Sequence, residues 1–199
     1  MVASATSRQE RKEARRRRLL GAALLILSER GYNETSVDQV VAQARTSKSS
    51  FYEFFDSKED CVHELLLWEG GSLIHTVTSA AAQGGDHRDR MRRGIRAFVR
   101  SCAEQRQLAR LLLVESVGVS DRIEEVRHDL QARFAAMVEE EARSAQHDSF
   151  YTAVDPIVFG RAVVGAVHEA TGHFLNRPGA DPEALADGLC RIFAPEDRR

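Results

Sequence analysis

The feature that most constrains the fold is the absence of proline from residues 1–155. The four prolines of the 199-residue chain come later, at Pro156, Pro178, Pro182 and Pro195. Because proline interrupts helices and central strands alike, so long a run without it is typical of extended helices. Apolar residues recur along this run with a helical period, and no strand-like alternation of useful length appears. We therefore predict an all-α fold.

Composition places the chain among globular proteins and separates its two ends by charge. Apolar residues make up 43% and charged residues 29%, and no stretch approaches the roughly eighteen apolar residues that a membrane span needs. The net charge is −2, yet residues 1–48 carry a net +5 and the remainder −7. A basic end on an acidic body indicates a polyanionic partner at that end. A solvated basic tail is the alternative.

The stretch RRRRLLGAALLILSERGY, Arg15 to Tyr32, has two interpretations. It resembles an export signal, but no small-x-small cleavage site follows its apolar letters. Those letters instead share one helical face, at Leu20, Ala23, Leu24 and Leu27. We predict an amphipathic helix over Arg11–Arg30 that Gly31 terminates. Cations at its N-terminal half oppose the helix dipole, so we expect a nearby anion to compensate them.

The next segment, NETSVDQVVAQARTSKSSFYEFFDSKEDCVHELL, predicts two short capped helices and the start of a third. Thr35 with Asp38 forms a candidate capping box for the first. Its buried face consists of Val37, Val40, Val41 and Ala44. Ser47 can cap the second helix, with Phe51 and Phe55 on its inner side, and Ser57 can cap the third. Packed on the preceding helix, these elements predict a helix-turn-helix.

The outer face of the second short helix carries the chemistry. Lys48, Ser49 and Ser50 form its first turn, and Tyr52 lies one turn beyond Lys48. Small hydroxyl side chains allow close approach to a duplex and can donate to phosphates or base edges, while lysine and tyrosine can contact phosphates. The alternative is a capped surface helix whose polar residues face water.

From about Arg15 to Leu66 the chain resembles the DNA-binding domain of the tetracycline-repressor (TetR) family, through LLGAALLILSERGY, TSVDQVVAQA, SKSSFYEFF and SKED. The resemblance implies a helix-turn-helix over Ser36–Phe55 whose recognition helix spans Ser47–Phe55. The matching DNA-facing positions are Thr35, Ser36, Ser47, Lys48, Ser49, Ser50, Tyr52 and Lys58. At the turn the family usually has Gly-Val, where this chain has Arg45-Thr46. A non-glycine residue there costs about 1 kcal/mol if the turn needs a positive φ, and Arg45 adds a candidate phosphate contact.

We divide the chain into a DNA-binding domain, residues 1–57, and a helical regulatory and dimerisation domain, residues 58–199. A long helix from Lys58 to about Gln83 contains Gly70-Gly71, which we interpret as a close approach of a neighbouring helix rather than a kink or hinge. The further predicted helices cover His87–Gln105, Gln107–Val117, Asp121–Gln146, Asp155–Arg177 and Asp181–Phe193. We find no repeat.

The last two helices are a candidate dimer interface. The first of them is rich in small residues, namely Gly160, Ala162, Gly165, Ala166, Ala170 and Gly172. The second presents Leu185, Leu189 and Phe193 on one face. Pairing with a second copy would form a four-helix interface, and the resemblance implies the same arrangement. The alternative is that the small residues pack only within one copy.

The resemblance also implies a homodimer that binds a pseudo-palindromic double-stranded operator and is released by a small-molecule effector. Repression is the commoner arrangement in the family, and activation is the alternative. Candidate effector-binding residues are Trp68, Phe98, Phe134, Met137 and His168, for each of which ordinary core packing is the competing interpretation.

A secreted or metal-dependent enzyme is the competing class of function. HEATGH, His168 to His173, is one residue longer than the zinc motif HExxH, so its histidines diverge by about 140° around a helix. No phosphate-binding loop, dinucleotide motif or nucleophile elbow occurs. Cys61, Cys102 and Cys190 are widely spaced and are expected to be buried, reduced thiols of a cytoplasmic protein. We expect no cofactor, no metal and no membrane contact.

Overall fold

A computed structural model describes the backbone of residues 2–145 and 148–196, and their side chains apart from those of residues 2–7 and 149. Within these ranges every regular element is helical, which confirms the all-α prediction. The elements are α1 (Val2–Glu34), α2 (Val37–Gln43), α3 (Lys48–Tyr52), α4 (Lys58–Ala81), α5 (His87–Glu104), α6 (Arg106–Arg110), a π-helical turn (Leu111–Glu115), α7 (Asp121–Ser144), α8 (Ser149–Thr152), α9 (Pro156–Leu175) and α10 (Pro182–Phe193).

The first three helices form a unit around one apolar centre. Leu19 and Leu27 of α1 are almost fully buried, as are Phe51 and Phe55 from the second short helix and its end. The helical geometry of α1 breaks at Gly31, which has φ 76° and ψ 173°, so the predicted end of the helix at this glycine is confirmed. The break lets the chain turn into α2 across the same core.

The predicted cap of α2 is wrong by one residue. Ser36, not Thr35, is the N-cap: its hydroxyl accepts from the backbone N–H of Gln39 at 3.3 Å, and its own N–H donates to the Gln39 amide oxygen at 2.8 Å. Thr35 is only 3% exposed, and its hydroxyl donates to the carbonyl of Gly31 at 2.7 Å. The hydroxyl of Thr35 therefore satisfies the end of α1 rather than the start of α2.

The C-terminal part is a helical bundle in which α4, α5, α7 and α9 pack around a common centre and α10 packs on α5. A Cβ atom on Gly70 would lie 2.4 Å from Cδ1 of Leu130, whereas one on Gly71 would meet nothing within 4 Å. The prediction that Gly70-Gly71 permits close packing is thus confirmed at Gly70, where α7 crosses α4.

Two connections differ from the predicted helices. The single helix expected over 107–117 is a short α6 followed by the π-helical turn, and α8 was not predicted. The predicted end of the 121–146 helix, Gln146, lies outside the described residues. The three cysteines are buried and unpaired, as expected, and burial raises the pKa of the Cys61 and Cys102 thiols to about 12. No helix in the described ranges is long and apolar enough to cross a membrane.

Candidate functional site

The short helix α3 is anchored on one side and open on the other. Its N-cap is Ser47, as predicted, whose hydroxyl accepts from the N–H of Ser50 at 3.2 Å. Phe51 and Phe55 are each 1% exposed and their ring centroids lie 5.3 Å apart, which fixes the rear of the helix in the core. The orientation of α3 is therefore set by the packing of these two rings in the core.

The opposite side of α3 faces solvent. Tyr52 is 53% exposed, and Lys48 and Ser49 are exposed beside it. The ammonium of Lys48 lies 2.8 Å from Oδ1 of Asp38 on α2, and its hydrogen bond to that carboxylate raises the pKa of Lys48. Because both side chains are largely exposed, this pair is weak and a phosphate can replace the carboxylate. The predicted outer face exists and its lysine is fully charged.

One residue of the turn between α2 and α3 has a positive φ, although this turn lacks the glycine that is usual in the family. Arg45 adopts φ 50° and is the only non-glycine residue with a positive φ in the described ranges. Its side chain is exposed and makes no ion pair or hydrogen bond with the described part of the chain. The chain accepts backbone strain here while leaving a guanidinium beside α3.

Two of the predicted DNA-facing side chains point into the protein instead. Thr35 is buried, as its hydrogen bond to Gly31 requires. Lys58 donates to the carbonyls of Tyr32 and Thr35 at 2.7 and 2.9 Å, and its ammonium lies 3.9 Å from the centroid of the Tyr32 ring. Burial lowers the pKa of Lys58. In this conformation Lys58 joins α4 to the end of α1 and offers no free charge to DNA.

The basic half of α1 is compensated partly by the chain's own acids. Arg16 forms an ion pair with Glu64 on α4, and Arg15 lies 3.2 Å from Glu53 just after α3. Arg11 and Arg18 are exposed and make no ion pair with a described side chain. The helix therefore uses some of its cations to attach neighbouring elements and leaves others for an external anion.

A second candidate site is a cavity of about 100 Å³ among α4, α5, α7 and α9. Three rings stand together at its inner end: Phe98 and His168 are stacked with centroids 5.1 Å apart, and Phe134 meets both edge-on. Met137 lines the same cavity. Four of the five predicted effector-binding residues are thus brought together, and the cavity wall is predominantly apolar.

Trp68 is the predicted effector-binding residue that lies elsewhere. It is 42% exposed on the surface of α4, and the guanidinium of Arg17 lies 5.1 Å from its ring centroid. Its assignment to the cavity is wrong, because the side chain covers the junction of α4 with α1.

The outer end of the cavity is charged, and we did not predict these charged residues from the sequence. Arg90 donates three hydrogen bonds to the carboxylate of Glu141 and one to the carbonyl of Gly85, and His87 contacts the same carboxylate. Although burial alone would raise it, Arg90 and His87 hold the pKa of Glu141 below its usual value. A carboxylate at i+4 from Met137, on an otherwise apolar stripe of α7, is the sequence signal that could have found this end.

Of the two histidines of HEATGH, His168 lines the cavity, whereas His173 is exposed and does not; both border an open surface groove beside α9. Burial, with Arg127 nearby, lowers the pKa of His168 to about 4, so its ring is neutral at physiological pH. No group of three or more His, Cys, Asp or Glu side chains converges as a metal site within the described residues.

The small-residue helix α9 is used on two sides. A Cβ atom on Gly160 would lie 2.8 Å from the carbonyl oxygen of Ala135, so this glycine admits α7, whereas Gly165 is open. The outward sides of α9 and α10 present Val158 and Ile192, 58% and 61% exposed.

The face of α10 that was predicted to meet a second copy is directed inward. Leu189 is buried, and Leu185 and Phe193 pack against the core of their own chain. That part of the interface prediction is wrong, and the available outward face of α10 is the one that carries Ile192.

Comparison with known proteins identifies the N-terminal unit. The family described as bacterial regulatory proteins, tetR family, matches residues 19–65. The HTH-type transcriptional activator FasR of Mycolicibacterium smegmatis is 31% identical over 87 residues, which are 44% of this chain and 40% of FasR. The match to this relative therefore spans less than half of its length.

Solved structures resemble nearly the whole chain. FadR from Bacillus subtilis in complex with stearoyl-CoA has a TM-score of 0.80 at 15% identity, covering 89% of this chain and 96% of FadR. AibR in complex with isovaleryl coenzyme A and operator DNA has a TM-score of 0.75 at 21% identity, covering 91% and 98%. At these identities the likeness establishes a shared fold.

Proposed function

We propose that this chain, whose residues 19–65 match the tetR family of bacterial regulatory proteins, is a cytoplasmic, homodimeric regulator of transcription that binds a pseudo-palindromic operator. The observation that carries the proposal is the geometry of α3, with Phe51 and Phe55 buried behind it and Lys48 and Tyr52 exposed in front. A rigid helix with a cationic, hydroxyl-rich leading turn is what major-groove recognition requires. The regulatory helices take no part in catalysis in this proposal.

We remove from the proposed DNA-facing residues those whose side chains are directed into the protein. It keeps the exposed residues Ser36, Arg45, Ser47, Lys48, Ser49 and Tyr52, together with the half-exposed Ser50, and drops Thr35 and Lys58. Arg11 and Arg18 of α1 supply further phosphate contacts. The division at residues 57 and 58 stays as proposed, with Lys58 as the joint.

We expect repression that an effector relieves, because the bundle contains an apolar cavity. FadR and AibR were each solved with an acyl coenzyme A, which supports a small-molecule effector with an apolar part here. FasR is named as an activator, so a promoter–reporter assay in cells with and without the protein decides the sign. Reporter expression that rises when the protein is absent indicates a repressor.

The first test is selection of bound fragments from random duplex DNA, followed by affinity measurements on the enriched sequence. Lys48→Ala should weaken binding to that sequence roughly tenfold and leave the melting temperature unchanged, because the side chain is exposed and contributes little to folding. Asp38→Asn should strengthen binding, since it releases Lys48 and removes a negative charge from the DNA face. Fluorescence anisotropy over a salt series measures both.

Three outcomes contradict the proposal. If the selection enriches no sequence, the proposal of sequence-specific DNA recognition is wrong. Lys48→Ala that unfolds the protein removes the surface role of this lysine. An affinity independent of salt concentration removes the phosphate contacts, since each one contributes to the slope.

A further inference from the structure

His168 borders two spaces in the regulatory part of the chain. On one side lies the apolar cavity of about 100 Å³, and on the other an open groove of about 660 Å³ among α7, α9 and the π-helical turn. The imidazole lines both. Only ring packing against Phe98 and Phe134 holds it, because neither ring nitrogen has a hydrogen-bond partner among the described residues. The cavity and the groove therefore meet at His168 and Val164, which line both spaces.

The cavity accommodates only a small apolar group. An engineered cavity of about 150 Å³ holds one benzene molecule, so a space of about 100 Å³ suits a branched chain of four or five carbons. Its lining includes Val163, Val164 and Val167 of α9, and its charged residues stand at the end away from His168.

The groove offers cations that the fold leaves incompletely used. Arg127 pairs with Glu124 through one terminal nitrogen, while its Nε is buried and has no hydrogen-bond partner within the described part of the molecule. Arg161, on the opposite wall, is exposed and forms no ion pair with any described residue. The lining contains a single acid, Glu169. The groove thus has two arginines and one glutamate in its lining, and the Nε of Arg127 and the guanidinium of Arg161 remain available as donors.

The other end of the cavity cannot serve an anion equally well. Arg90 already donates to both oxygens of Glu141 and to the carbonyl of Gly85. An anion arriving there would displace a carboxylate that Arg90 and His87 bind from two sides. Free donors therefore favour the His168 side for a negatively charged group.

We infer that the effector is an anionic amphiphile that spans both spaces, with a short apolar group in the cavity and a phosphate- or carboxylate-bearing part in the groove against Arg127 and Arg161. This inference rests on the proposed function and specifies its effector. His168 turns aside to admit the connecting atoms, since no hydrogen bond holds its ring. The groove is far larger than a carboxylate, which favours a bulky phosphate-bearing part.

The groove lies on the outward side of α9, beside Gly165 and close to the proposed dimer interface. A ligand whose charged part occupies it would lie next to the second copy, so its binding would act directly on the geometry of the dimer. This position links effector binding to operator spacing without a long path through the core.

The test is calorimetric titration of the 199-residue chain, in its dimeric form, with three probes: isovaleryl coenzyme A, isovalerate and free coenzyme A. We expect the thioester to bind, and Arg161→Gln to weaken it roughly tenfold. The matched control is Arg93→Gln, an exposed arginine of α5 without an ion pair to a described residue, which should change the affinity by less than about twofold. Binding of isovalerate with the same dependence on Arg161 would also support the inference and identify the carboxylate as the charged group.

Sedimentation and operator binding are measured on the same samples. The inference of an amphiphilic effector is overturned if Arg161→Gln and Arg93→Gln weaken probe binding equally, or if no probe binds. A change in the dimer dissociation constant for Arg161→Gln without a change in probe affinity overturns it as well, because the groove then belongs to the second copy. The proposed function fails separately, when wild-type protein selects no DNA sequence.

Discussion

At the scale of single residues, the sequence is ambiguous where two neighbouring residues fit the same structural role. Thr35 and Ser36 both fit the pattern of a cap, since each has a polar residue three positions on. Only the burial of Thr35 beneath the end of α1 assigns the cap to Ser36. A sequence pattern reports the residue types and not the direction in which each side chain points.

His168 makes the stability depend on pH. Its pKa is about 4 in the folded chain against 6.5 for an ordinary histidine, so between these values the unfolded chain binds more protons. The free energy of unfolding therefore falls as the pH is lowered, by about 2 kcal/mol between pH 7 and pH 5. Urea denaturation at the two pH values measures the loss.

Two variants isolate this histidine from the others. His168→Phe keeps a ring in the aromatic group but cannot titrate, so most of the pH-dependent loss should disappear. His128, whose side chain is 72% exposed, provides the control, because His128→Gln should keep the wild-type dependence. An unchanged loss in His168→Phe would show that other groups cause it.

At the scale of helices, the long elements follow from periodicity and capping, whereas their contacts do not. The predicted starts of α4, α5 and α7 match the structure, because Ser57, Asp86 and Ser120 cap them as their residue types favour. The π-helical turn has no counterpart in the pattern, since its sequence LLLVE is apolar at four consecutive positions and does not indicate one helical period over another. The candidate cavity residues were predicted from their apolar or aromatic type, and Trp68 does not line the cavity because that criterion ignores which helical face is covered.

Gly160 and Gly71 allow a matched pair of substitutions, one at a closely packed position and one at an open position. Gly160→Ala places a methyl group 2.8 Å from the backbone oxygen of Ala135, so α9 must move away from α7. We expect a loss of about 1–3 kcal/mol in the free energy of unfolding. Gly71→Ala meets nothing within 4 Å and should stabilise α4 by up to about 1 kcal/mol. Urea denaturation of both variants measures the difference, and equal effects would contradict the close approach at Gly160.

At the scale of the whole molecule, the proposed dimer depends on the outward faces of α9 and α10, which would hold two copies of α3 together. Sequence alone indicated this pair of helices but chose the wrong face of α10, since Leu185 and Leu189 are as apolar as any interface residue. Helix α10 has one apolar face that is buried and another, carrying Ile192, that is exposed. Only the folded structure shows which face is buried.

Ile192→Glu should convert the dimer to a monomer and abolish tight operator binding, because a buried unpaired carboxylate in the interface is costly. The melting temperature of the monomer should fall little, as the side chain is 61% exposed within one copy. Leu67→Glu, at a 41% exposed position of α4, is the matched control and should remain dimeric. Sedimentation velocity distinguishes the two, and a dimeric Ile192→Glu variant would place the interface elsewhere.

The bond from Lys58 to the carbonyls of Tyr32 and Thr35 has a mechanical consequence. The ammonium belongs to the first turn of α4, yet it satisfies backbone oxygens at the end of α1 and before α2. Arg16 and Glu64 form a second attachment between the same helices. We therefore expect helices α1 to α3 and α4 to move together, so that a rotation of α4 would also reorient α3.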